Sequence, residues 1–141
     1  MTSSRTREVP RVGFAELEMI PDAGRVDLAA IEAQLRAMPH VFVDPHDPRC
    51  WFLSEDEPSR ARLLAARAAD PTRRPYALLL LLEAERLWLV GEFASADALA
   101  VGRRLVAWLV STGGWKARDA AYAGPWADPL AFFEPPGEPG A

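Results

Sequence analysis

Five consecutive leucines, at positions 78–82, leave this chain few ways to fold, because a run so uniformly apolar has to be removed from water on every side. They are followed by Glu83-Ala84-Glu85-Arg86 and then by Leu87-Trp88-Leu89-Val90-Gly91-Glu92. Read as a β-hairpin, 76–82 and 87–92 are two strands joined by the charged tetrapeptide, the first strand buried on both faces. Read as a helix, the same stretch has good helical propensity and one β-branched residue, Val90. A short apolar run does not reveal its period, so both readings stand, with the hairpin preferred.

The flanking segments point to mixed structure. Over 12–20, Gly13, Ala15, Leu17 and Met19 share one strand face, and Glu16 and Glu18 point the other way, toward water. Pro21, Asp22 and Gly24 make a turn, and Asp27 is placed to cap a helix carrying Leu28, Ile31, Leu35 and Met38 on one stripe before Pro39 stops it. Val41-Phe42-Val43 and Trp51-Phe52-Leu53 flank the loop Asp44-Pro45-His46-Asp47-Pro48, a second hairpin pattern. Glu55, Asp56 and Glu57 precede Pro58 and an Ala/Arg-rich helix to Ala69, which Asp70-Pro71 ends. A further helix runs from Ser95 to about Thr112, with Leu105, Trp108 and Leu109 inward and Gly113-Gly114 as its stop, and 115–122 returns as a last strand.

The sum is an α+β fold of two layers, an antiparallel sheet of five or six strands packed against two or three helices. The alternative is mostly α, with 76–112 as a helical hairpin. One domain over 11–133 is expected, after a disordered lead at 1–10 and before a loose Pro/Gly-rich tail at 134–141. Gly91-Glu92-Phe93-Ala94-Ser95-Ala96 resembles the junction of a tetratricopeptide-type helix pair, but no second copy follows, and solenoids need about three stacked units.

Charge and composition narrow the function classes. The formal net charge of −4 gives no long-range attraction for a phosphate backbone, which argues against nucleic acid as a partner. Arg60, Arg62, Arg67, Arg73 and Arg74 form a local basic stretch, read as a solvated helix surface. The single cysteine excludes an intrachain disulfide, the N-terminus lacks the apolar core of a secretion signal, and the leucine run is too short to span a bilayer, so a cytoplasmic location is expected with no membrane association.

One cluster unites the chain's metal-type donors: His40, Asp44, His46, Asp47 and Cys50 lie within eleven positions, and imidazole, carboxylate and thiolate are the ligand set of zinc. The spacing matches no established zinc signature. The plainer reading gives Asp44 and Asp47 to local turns and Cys50 to the core. A thiol nucleophile would need Cys50 activated by His46 or His40, and nothing supplies an orienting third group. The pairs Glu16/Glu18 and Glu83/Glu85, and Asp119 near Tyr122, are explained by wet surface before acid/base chemistry. No phosphate-binding glycine loop is present, and no cofactor is expected.

The late aromatics differ from the others. Trp51, Trp88 and Trp108 fall at positions that read as core, whereas Trp115, Tyr122, Trp126, Phe132 and Phe133 lie in a stretch broken by Pro and Gly. Either this segment folds back to cover the sheet or the last helix, or it forms an exposed aromatic patch of the kind that marks protein interfaces. The layout is similar to that of small bacterial α+β modules, toxin-neutralising immunity proteins among them, though no motif carries the likeness. The expected function is therefore a non-enzymatic module of immunity or adaptor type that binds another protein through those five aromatics. The alternatives are a metal- or small-molecule-binding protein using the 40–50 cluster, and self-association as a homodimer.

Overall fold

A computed structural model describes residues 14–70, 72, 78–92, 96–120 and 124–133. The expected lead at 1–10 and tail at 134–141 lie outside them, as do Tyr122, Arg73 and Arg74. The elements run β1 (Phe14–Pro21), α1 (Leu28–Ala37), β2 (Val41–Asp44), β3 (Asp47–Leu53), α2 (Glu57–Ala69), β4 (Leu78–Leu82), β5 (Leu87–Glu92), α3 (Ala96–Thr112) and β6 (Trp115–Asp119), and end in a 3-10 helix, Pro129–Phe133. The protein is α+β, with six antiparallel strands in the order β2-β3-β4-β5-β1-β6.

The leucine run is the central strand β4, paired with β3 on one side and β5 on the other. A strand turns alternate side chains to opposite faces. Leu78, Leu80 and Leu82 accordingly enter one core with Leu17, Met19, Leu87 and Leu89, while Leu79 enters a second core with Phe42, Cys50 and Phe52. Burying each such leucine contributes about 1.5–3 kcal/mol, which a single-faced helix could not extract from five in a row. The turn Glu83–Arg86 is closed by the Glu83 N–H donating to the Arg86 carbonyl at 3.0 Å.

The two faces are covered differently. On the first, α1 contributes Ile31 and Leu35, its C-cap residue Met38 joins them, and α3 contributes Val101, Leu105, Val106 and Leu109. On the second, α2 lays Leu63 and Leu64 over the β2-β3-β4 half. Among the described residues, α1 and α3 thus pack on the first core and α2 on the second, and the six-stranded antiparallel sheet with three helices is the α+β fold expected.

Local signals explain the element ends. The Asp27 carboxylate accepts from the Ala30 N–H at 3.1 Å to start α1, and the Asp56 carboxylate accepts from the Ser59 N–H at 2.8 Å to start α2. That backbone bond, then the Ser59 hydroxyl and the charges of Arg62 and His40, hold the Asp56 carboxyl below its ordinary value. The β2-β3 connection is tighter than the sequence indicated. Asp47 already pairs with Asp44, and a register shift at Val43/Asp44 absorbs the irregularity. Gly102 in α3 has a packing reason: a Cβ there would sit 2.9 Å from the Phe133 ring and 2.8 Å from Leu78. The 3-10 helix therefore presses the Phe133 ring against α3 at Gly102.

Candidate functional site

The metal-type cluster disperses in the structure. Asp44 is fully buried and faces Arg67 of α2, whose Nε lies 3.0 Å from each carboxylate oxygen. Asp44 also accepts from the His46 N–H at 2.8 Å, and Asp47 accepts from the Arg49 N–H at 3.0 Å, so both carboxylates serve the turn. Cys50 is buried among Phe42, Phe52 and Leu79, and His46 is exposed. His40 holds a positive φ of 63° and lies 3.5 Å from Glu57 through Nδ1. Strand alternation and the ion pair turn these residues apart. Among the described residues, no group of three or more His, Cys, Asp and Glu could hold a metal ion.

Arg67 corrects the reading of the basic stretch. Arg60 and Arg62 stay at the helix surface, but Arg67 is only 5% exposed and ties α2 to the β2-β3 hairpin.

The late aromatics also separate. Phe132 and Phe133 are buried in the core under α3, which removes them from the surface and realises the fold-back reading. Trp115 is half-buried against the same core. Trp126, at 36% exposure, is the member of the described set that reaches solvent. Its neighbour Ala127 pairs with Ala117 through two backbone hydrogen bonds of 2.8 Å, continuing the sheet one step beyond β6.

Trp126 belongs to an arrangement built on the β5-β1-β6 half. Register sets Trp88 of β5 opposite Glu18 of β1, and Glu18 opposite Arg118 of β6. All three project from the face that α2 covers at the other end of the sheet; here, among the described residues, no helix lies over it. Glu18 is 5% exposed, and its two oxygens are divided between two arginines. Arg86 Nη1 donates to Oε2 at 2.6 Å, and Arg118 Nε donates to Oε1 at 3.1 Å.

Each arginine also meets an indole: the Arg118 guanidinium carbon stands 4.5 Å from the Trp126 ring centroid, and that of Arg86 stands 5.9 Å from the Trp88 ring. One carboxylate therefore fixes two guanidiniums against two tryptophans. Glu16, Ile20, Val90 and Lys116 fill out the same face, with Glu16 and Lys116 exposed.

Chemically the arrangement holds planar aromatic area and two guanidiniums in order at low conformational-entropy cost, with Arg118 engaging Glu18 through Nε. The alternation expected in β1 turns Glu16 and Glu18 to one face, but only Glu16 reaches water there: Glu18 is buried under its two arginines, and Trp88, expected in the core, is half-buried beside it. The alternation of β1 is the signal that the sequence carries. What was missing was the pairing of β5 with β1, which puts Trp88 beside Glu18.

No helix among the described residues is long and apolar enough to cross a membrane. Compared with protein-family models, with curated proteins and with solved structures, the chain has no match.

Proposed function

We propose that this chain is a non-enzymatic cytoplasmic protein-binding module, of immunity or adaptor type, that docks a partner protein on the open β5-β1-β6 face. The observation that carries this reading is the row Trp88, Glu18, Arg118 and Trp126, in which a buried carboxylate holds two arginines against two tryptophans on a sheet half without helical cover among the described residues. Tryptophan and arginine dominate the energetics of protein interfaces, because each contributes a large contact area with a directional polar tip. The binding surface is thus drawn around Trp126 with Trp88, in place of the five late aromatics together. With Asp44 and Cys50 turned inward, the metal-binding alternative gains no support from the geometry.

Photocrosslinking inside the native host tests the proposal. Benzoylphenylalanine in place of Trp126 is expected to trap one discrete protein, and the same group in place of Arg103, exposed on α3, is expected to trap none. Equal yields from both positions, or none from position 126, would remove the surface from consideration.

A further inference from the structure

We infer that the segment recognised on this face is acidic: a stretch of the partner protein that sets a carboxylate on Arg118 and Lys116 beside an apolar side chain on Trp126. The inference rests on the protein-binding reading above and names the partner's chemistry. Charge on the face is unevenly distributed. At the β5 end, Arg86 is braced by Glu18 and by Glu83, whose Oε1 lies 3.5 Å from Arg86 Nε, so its charge is met from two sides. At the β6 end, Glu18 is the carboxylate that pairs with Arg118, and it takes up Nε alone; Glu16, exposed on the same face of β1, makes no ion pair with Arg118 among the described residues.

Arg118 therefore keeps both terminal amino groups without a protein acceptor among the described residues, in the fork geometry that suits a carboxylate. Lys116, two positions earlier on β6, projects from the same face and is exposed. Ile20 lies directly across from Lys116 and is half-buried, which adds apolar area next to the cations. The nearby Asp128 is turned to its own backbone, accepting from the Leu130 N–H at 2.9 Å. The β6 end is thus a cationic, aromatic patch on a chain whose net charge is −4, and its complement is an anionic segment with an apolar neighbour.

The probe is a random-peptide phage library selected on the intact protein, with the best peptide then synthesised and titrated. Enriched peptides are expected to carry Asp or Glu beside an aromatic or aliphatic residue. Binding should weaken at least about tenfold in Lys116→Glu, Arg118→Gln and Trp126→Ala, weaken with added salt, and stay unchanged in Arg104→Glu on the exposed face of α3. Because Lys116→Glu touches no buried group, a folding defect in Arg118→Gln would leave the test intact.

Enriched peptides that lack acids but still depend on Trp126 would overturn the acidic assignment and leave the docking face standing. Peptides indifferent to both Lys116→Glu and Trp126→Ala, or no enrichment at all, would overturn the two together.

Discussion

The two halves of the sheet use the same kind of residues to opposite ends. In the β2-β3-β4 half, Asp44 of β2 and Arg67 of α2 are buried together, a carboxylate and a guanidinium sealed between helix and sheet. In the β5-β1-β6 half, Glu18 is buried almost as deeply, yet its partners Arg86 and Arg118 keep 40% and 37% of their side-chain surface in solvent. The first pair joins a helix to a sheet. The second sets guanidiniums and indoles in order on an outer surface. A buried carboxylate does not by itself reveal its role, which depends on whether its cation is sealed in or left reachable.

The largest test of this contrast is Arg67→Met. It strands Asp44 as an unpaired buried charge and should lower stability by about 3–5 kcal/mol, whereas Arg118→Met should cost no more than about 1 kcal/mol because its cation is partly solvated. Chemical denaturation of both variants measures this; similar losses would erase the distinction. Next, Phe52→Ala, which empties a fully buried position of the sealed half, should cost about 3–5 kcal/mol. Trp88→Ala on the open half should cost roughly less than half of that, and its main effect should be on partner binding.

Gly102→Ala sharpens the comparison from the face that both halves share. The gain in helix propensity is about 1 kcal/mol, set against about 1–3 kcal/mol for displacing Leu78 and Phe133, so a modest net loss is expected in thermal melts. The smallest effect concerns the start of α2. The Asp56 carboxyl is held below its ordinary value, so it contributes stability above its unfolded value near 3.9, and that contribution fades as pH falls through the folded value. Asp56→Asn, which keeps a capping oxygen, should flatten this part of the acid limb below about pH 4; an unchanged acid limb would show that the cap carries no such linkage.

Much of the fold was legible because local chemistry and burial agreed. Asp27 and Pro39 bracket α1, the leucine run with its charged turn specifies a hairpin, and alternation in β1 separates Glu16 and Glu18 from Leu17 and Met19. What escaped depended on partners far away in sequence. Arg67 looks like Arg60 and Arg62 until Asp44, 23 residues earlier, is brought beneath it. Trp88 sits between Leu87 and Leu89 in an unbroken apolar run, so alternation alone could not say which face it takes. Phe132 and Phe133 follow Pro125 and Pro129, and the seat of Phe133 depends on the space that Gly102 leaves in α3.

The position of β1 also matters for the order of events on the ribosome. β1 lies between β5 and β6, so Glu18 must wait for Arg86, 68 residues later, and for Arg118, 100 residues later. Such distant pairings close slowly, and β1 has neither of its neighbours until synthesis has passed β5. A prematurely terminated product ending before residue 118 would display one edge of β1 without forming the contact of Arg118 with Trp126.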